Sequence, residues 1–577
     1  MIMIHYHISI ENPHRHFISF EAKIPCQGKK TLRLCLAAWR PGRYELGNFS
    51  KNIKSWNVQN GNVNLAFRKI NKDCWEVDCD GCDEITLTYQ YYAAELNAGS
   101  SYLDTEQLYI NPVNCFFYVE DGLELPYQLK FHLPDDYRMA TGLGAIAEHV
   151  RTAKNFDDLA DCPLIASNSL KEISYTSRDV LFHIWIQGDL KIDEQRLLKE
   201  FLSFSDAHFD IFGSIPCDEY HFLFHFPPCF IRHGVEHHNS TVIAMGPAAD
   251  FQGESQFKDL LAISCHELFH TWNVKCIRPV EMLPYDFSKE NYSRSGYVYE
   301  GVTTYYGDQL LWRCGSITDA EWFAELEDRI QTYMDNHGRF NLSVAESSFD
   351  TWLDGYNPGI PWRKVSIYNE GLLIALICDL EIIKVSNGKY SLDDVMRDLY
   401  SDFGLKGKGY SESDYQHLIR KYLGDLTDQI FTQFVNGVED YLPQLTQSFS
   451  YAGIQIMQQA SPKWSESNYG FGIDETGGKC VISNVMPCSP ADEAGLWSGD
   501  EIITVNDIAP YKNVQSLLKM SETGPEIQFL RKGKFFNATL NISKNLWGRR
   551  YRIMMNEVMS DEERRFFEMW KSNRTRP

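Results

Sequence analysis

His266-Glu267-Leu268-Phe269-His270 places two imidazoles four residues apart with a carboxylate between them. On a helix that spacing puts both rings on one face, where they can share a Zn²⁺ ion. Glu267 can then take a proton from the water that attacks in a hydrolysis. With 17 His and 78 acidic residues in 577, random order would produce roughly 0.03 such patterns, so accident explains the motif poorly. A catalytic zinc needs a third protein ligand, and Glu281, Glu290 and Glu300 follow downstream. Glu281 and Glu290 lie in a polar stretch containing Pro279 and Pro284, whereas Glu300 is embedded among Tyr297, Tyr299, Tyr305 and Tyr306. A carboxylate in aromatic surroundings needs a counter-charge, which a metal supplies, so these grounds favour Glu300.

The elements that must hold these residues are visible in outline. Phe257 to Ile263, just before the motif, is an apolar helix-forming run without Pro or Gly. Asp193-Glu194, Thr318-Asp319-Ala320-Glu321, Ser391-Leu392-Asp393-Asp394 and Ser411-Glu412-Ser413-Asp414 read as helix starts, and His221 to Phe226 as a strand. Residues 1 to about 175 differ in texture. Thr31–Leu36, Glu84–Tyr89 and Gln128–Leu133 alternate with period two between Gly, Pro and Asp turns, which predicts an antiparallel β-sandwich. From about 450 the chain changes again, with the glycine-rich Tyr469-Gly470-Phe471-Gly472-Ile473 leading a strand. Gln458 to Asn468, polar and containing Pro462, is the best linker candidate.

Bulk properties narrow the function classes. A chain of 577 residues exceeds a single core and suggests about three or four domains. The formal net charge of −23 argues against nucleic acid as a partner. The N-terminus alternates like a strand, with no convincing signal peptide, and no apolar run reaches the length of a membrane span. The 15 cysteines are scattered and read as mostly reduced, buried thiols, so a cytoplasmic location is expected. Near the C-terminus, Arg549, Arg550, Arg552, Arg564 and Arg565 read as a solvated helix face, and Met554 to Trp570 as an amphipathic helix.

Several long motifs resemble the glycyl aminopeptidase family of gluzincin zinc peptidases, whose members carry a C-terminal PDZ domain. They are His266 to Lys275 followed by Ile277-Arg278-Pro279, the Glu300-Gly301…Thr303…Tyr305-Tyr306 pattern, and Ala38-Trp39-Arg40-Pro41-Gly42-Arg43-Tyr44. The resemblance implies a multidomain α+β chain. It would comprise an N-terminal antiparallel β-sandwich (1–175), a thermolysin-like, mainly helical catalytic domain (176–455), a PDZ domain (456–546) and a helical tail (547–577). It implies one Zn²⁺ on His266, His270 and Glu300, with Glu267 as the general base.

Further residues carry over one by one. Gly234-Val235-Glu236-His237 is similar to the family's Gly-Gly-Leu-Glu-His strand, whose Glu binds the substrate's free α-ammonium; here His233 replaces the first Gly. Tyr368, in Ser366-Ile367-Tyr368-Asn369-Glu370-Gly371, resembles the Tyr that hydrogen-bonds the oxyanion, with Glu370 standing where Lys is usual. Gly470, Phe471, Gly472 and Ile473 resemble a PDZ loop that cradles a peptide C-terminus. The resemblance implies a zinc aminopeptidase acting on peptides with a free N-terminus, with Gly and Ala preferred. The alternatives are a PDZ-guided endopeptidase and a non-catalytic PDZ adaptor on a peptidase scaffold. Asp308, two turns beyond Glu300, reads as a surface acid.

Overall fold

The computed structural model describes residues 2–572 apart from Gln252, Pro358, Tyr511, Glu522, Thr523, Ser543 and Lys544. The last residues of the expected tail, 573–577, lie outside the described residues, as does Met1.

Period-two patterning in the N-terminal third becomes a sandwich. Phe17–Pro25 pairs antiparallel with Glu84–Tyr92. Its inward residues Ile18, Phe20, Ala22 and Ile24 are buried, while Glu21 and Lys23 face water. These strands belong to an eight-stranded sheet. It shares a core with a four-stranded sheet that contributes Leu32, Leu34, Trp75 and Val77. Pairing is mostly antiparallel, but Ile4–Ser9 runs parallel to Tyr127–His132. The core continues into the next domain through Tyr285, Phe287 and Tyr299. Trp39 joins the two halves: its indole N–H donates to Asp286 O at 2.8 Å, and the Ala38 N–H to Phe287 O at 2.7 Å.

The middle domain begins with a five-stranded mixed sheet that ends at the edge strand Ile231–Glu236. Lys171–Ser177 straddles the expected boundary at 175 and pairs within this second sheet. The expected strand near His221 spans Glu219–His225. Helix α1 (Glu254–Phe269) buries Phe257, Leu260, Leu261, Ser264, Cys265 and Leu268, the i, i+3, i+4 stripe of a helix lying on a core. Helix α2 (Thr303–Arg313) packs beside it, and helix α3 (Asn369–Val385) runs through the centre, buried on nearly every side. The expected helix starts are real. Asp193 caps Glu194–Phe212, and Thr318, Ser391 and Ser411 each form a capping box. Among the described residues no helix is long and apolar enough to cross a membrane.

The C-terminal region carries a five-stranded antiparallel sheet that starts at Phe471–Thr476. The linker expectation is corrected here. Ile454–Ala460 is a strand paired with Arg549–Met555, and Trp464–Tyr469 is a helix. The tail is therefore a strand before it is a helix. Arg550 and Arg552 do not line a solvated helix face; they lie on that strand and pair with Glu466 and Glu327. Helix α4 (Asp561–Ser572) returns to the middle domain, burying Phe566, Phe567 and Trp570, whose indole N–H donates to Tyr305 Oη at 3.2 Å. Cysteine chemistry is also refined: Cys35 and Cys74 face each other on paired strands as a disulfide, and the remaining cysteines are free. Cys79 and Cys82 form a CxxC pair, and both are buried thiols close to Cys26.

Candidate active site

Helix α1 carries His266 in its last turn, and His270 follows with helical backbone angles (φ −61°, ψ −21°). The 3.6-residue period therefore brings the two Nε2 atoms to 3.0 Å. The Nδ1–H of His270 donates to Asn273 O at 2.8 Å, which aims the Nε2 lone pair into the site. Glu300 Oε2 lies 3.4 Å from His270 Nε2 and 3.9 Å from His266 Nε2. All three donor atoms fall within 4.8 Å of one another, the spread of a shared metal. Glu281 and Glu290 join no such group among the described residues.

Glu300 is only 3% exposed and sits in a π-helical turn, Tyr297–Val302, that opens α2. Such turns concentrate at functional sites because they re-aim one side chain within a helix. The turn crosses α3 at closest range through two glycines: a Cβ on Gly301 would overlap the backbone of Gly371. This crossing also brings Tyr368, the residue preceding α3, close enough to Glu300 for its hydroxyl to favour the charged carboxylate. Burial, with Glu300 nearby, holds the Tyr368 phenol far above its ordinary pKa, so it remains a donor. Glu370, the departure from the usual Lys, points into the core; burial pushes its carboxyl up to about 8 and keeps it neutral at pH 7.

Glu236 ends the edge strand beside α1, 4% exposed, with Oε1 buried and unpaired. Glu236, Glu267 and His270 also have donor atoms within 4.8 Å of one another. Gly234 explains how this strand lies so close to the helix, since a Cβ there would overlap Glu267 Oε1. His233, in place of the first family Gly, turns toward the N-terminal domain, its Nε2 3.5 Å from Arg40 Nη2.

Three carboxylates thus surround one histidine pair. Burial pushes Glu267 and Glu300 above the usual carboxylate range. Burial opposes charge on His270 too, but Glu236, Glu300 and Glu267 prevail and raise its pKa. Two imidazoles and a carboxylate, with two further acids at hand, form a donor set that a dication fits.

The N-terminal domain supplies one wall that motif reading did not assign. Arg40, Gly42 and Tyr44 come from the loop that Trp39 anchors. A Cβ on Gly42 would overlap Glu236 Oε2, and the Tyr44 N–H donates to Tyr356 Oη at 3.3 Å. Arg40 is buried, with Nη1 unpaired. Tyr356 lies within electrostatic reach of Glu300, Arg40 and Glu236, although its Asp354-Gly355-Tyr356 context carries no chemical pattern. His237 serves the domain junction: its Nδ1 lies 3.1 Å from Asp161 Oδ1, which also accepts from the buried Lys275 Nζ at 2.7 Å. Asp308 is not a surface acid; it is largely buried and pairs with Arg329 at 3.1 Å.

The glycine-rich loop of the third domain opens on Gly470, left-handed at φ 72°, and runs into the sheet's edge strand. Its Gly472 N–H is already given to Asn484 Oδ1 at 3.0 Å.

Comparison with known proteins agrees with this layout. The Peptidase M61 N-terminal domain matches residues 5–168, M61 glycyl aminopeptidase residues 259–374, and the PDZ domain residues 458–542. The crystal structure of an aminopeptidase N family protein from Idiomarina loihiensis superposes with a TM-score of 0.89 at 25% identity, covering 99% of this chain and 100% of that one. An M1 zinc metallopeptidase from Deinococcus radiodurans aligns at 13% identity over 76% of this chain and 94% of its own, with a TM-score of 0.47. No curated protein matches the chain. With both halves of the peptidase matched in order, ahead of the third module and around an assembled His266–His270–Glu300 cluster, the chain carries the N-terminal and catalytic domains of M61 glycyl aminopeptidases followed by a PDZ domain.

Proposed function

We propose that the protein is an aminopeptidase that removes small N-terminal residues, Gly and Ala foremost, from peptides. One Zn²⁺ per chain would be held by His266, His270 and Glu300. The observation that carries this reading is the buried, unpaired Glu236 carboxylate oxygen beside Glu267 and His270. A fixed carboxylate at that spot recognises a free α-ammonium and excludes an internal peptide bond, which has no charge to offer. The Gly42 backbone and Tyr44 close the space beyond Glu236, which favours a small first side chain.

Zinc, when bound, supplies Lewis acidity toward the scissile carbonyl. Glu236 anchors the amine, and His237, the residue just beyond the strand, braces it against Asp161 of the N-terminal domain. Gly234 lets that strand approach Glu267. Glu267, desolvated and therefore a stronger base than a surface carboxylate, takes the proton of the attacking water and passes it to the leaving amine. The Tyr368 hydroxyl donates to the oxyanion of the tetrahedral intermediate. Gly470 to Ile473 of the PDZ domain would serve as a second, separate site for a peptide C-terminus.

The test is hydrolysis of Gly- and Ala-p-nitroanilide beside their N-acetylated forms, with and without a chelator. Cleavage of the free amines alone, lost to the chelator and restored by Zn²⁺, is expected. Cleavage of the acetylated substrates would replace this reading with an endopeptidase.

A further inference from the structure

A cleft of about 820 Å³ opens beside Tyr368, with the PDZ domain as its far wall. The peptidase side presents Tyr356, Ile360, Trp362 and Tyr368; the PDZ side presents Val485 and Trp497. The volume lies within the range of ligand pockets, roughly 300–1,000 Å³. Tyr356 and Tyr368 line the cleft and also lie within electrostatic reach of Glu300, so the cleft borders the catalytic centre on the Tyr368 side. The walls are tied together: the Trp362 indole N–H donates to Val485 O at 3.3 Å, from a residue held at φ 58°, a backbone region that costs energy for a bulky side chain. Ile360 and Trp497 are 71% and 59% exposed at its rim, large apolar side chains left to water. Trp497 is held in place by the Arg531 guanidinium, 4.3 Å from its ring centroid. The charged groups of the peptidase wall are already paired: Arg363 with Asp350 and Asp354, Lys364 with Asp354.

We propose that this cleft binds the segment of the substrate on the carboxyl side of the scissile bond, favouring apolar residues there, and that the PDZ domain acts as a wall of the substrate site. The proposal rests on the aminopeptidase reading, which sets the polarity. The amine end stops at Glu236, where Gly42 blocks further passage, so the remaining chain leaves past Tyr368. The PDZ surface used is not the glycine-rich loop: none of Gly470 to Ile473 lines the cleft.

The experiment compares kcat/KM for Ala-Leu amide and for an apolar hexapeptide amide beginning Ala-Leu, in zinc-loaded full-length enzyme, with Ala-p-nitroanilide as control. The wild type is expected to gain about tenfold or more from the longer peptide, the equivalent of burying part of one aromatic ring. That gain should shrink below about threefold in Trp497→Ala and, separately, in Ile360→Lys. Binding of a fluorescent hexapeptide amide to Glu267→Gln should weaken about equally when Trp497→Ala is added. Equal wild-type rates on both lengths, or a gain that both variants retain, would overturn the proposal. So would a gain that needs a free C-terminal carboxylate, which would point to the Gly470–Ile473 loop instead. If no substrate is cleaved, the control included, the aminopeptidase reading fails. The binding comparison then decides on the cleft alone.

Discussion

Gly42 of the N-terminal domain lies flush against Glu236 of the peptidase domain, so close that a Cβ on the glycine would overlap Oε2. Its φ of 79° is a conformation that L side chains rarely adopt, so two independent reasons demand glycine there. The proposed amine anchor is therefore completed by docking of the β-domain, and a single position links that docking to the proposed site.

Gly42→Ala should leave the chain folded at a cost of about 1–2 kcal/mol. It should raise KM for Ala-p-nitroanilide about tenfold or more, because Glu236 must move away from the amine. Steady-state kinetics beside thermal unfolding checks this. A variant with unchanged KM would show that Glu236 is not the anchor.

Glu267→Gln and Tyr368→Phe separate proton transfer from oxyanion binding. The first should lower kcat by about 10²–10⁴ and the second by about 10²–10³. Both should retain metal, since neither side chain is among the three proposed ligands. Metal analysis of the purified variants beside kcat is the measurement. Loss of zinc from Tyr368→Phe would mean that the phenol supports Glu300 instead.

The buried Asp161–Lys275 contact joins the two domains. Burial opposes charge on both, but each partner's charge prevails, lowering the Asp161 pKa below its ordinary 3.8 and raising that of Lys275 above its ordinary 10.5. The stabilisation is thus fully present between those ordinary values. It is lost as pH falls through the depressed Asp161 pKa or rises through the elevated Lys275 pKa. Asp161→Asn strands a buried ammonium and should cost about 3–5 kcal/mol at neutral pH. Urea unfolding should show that deficit roughly constant from about pH 5 to 8 and shrinking at still lower pH.

Glu370 works in the opposite direction. Its folded pKa of about 8 lies above its ordinary 4.5, so the native state keeps a proton that the unfolded chain has lost. Stability is full below the ordinary value and falls as pH rises through that window, by up to about 1.4 kcal/mol per unit. Glu370→Gln should remove the slope and exceed the wild type at pH 8 by about 1–3 kcal/mol. Parallel urea titrations at pH 5, 6.5 and 8 would read it directly. Parallel slopes in the two proteins would refute the assignment.

Local signals in the chain matched local structure closely. The HExxH spacing, the Thr318, Ser391 and Ser411 capping boxes and the alternation of Glu84–Tyr89 each depend on residues within a turn or a strand. Where pairing is long-range, reading along the chain went astray. Arg549–Met555 looked helical but finds its partner strand nearly a hundred residues upstream. Asp308 looked exposed because Arg329 comes from the following helix. Tyr356 had no local signal at all.

By itself the sequence pointed to the helix that carries His266 and His270, to regions of different texture along the chain and to Glu300 as the candidate third ligand. Those depend on helical periodicity, turn chemistry and the need of a buried carboxylate for a counter-charge. Only the tertiary structure decided that Gly301 and Gly371 let two helices touch and bring Tyr368 to Glu300. It alone showed that Gly42 closes over Glu236 and that a PDZ surface walls the cleft beyond Tyr368. Close approach between distant segments depends on the absence of a side chain and on the packing of whole domains, and neither leaves a periodic trace along the chain.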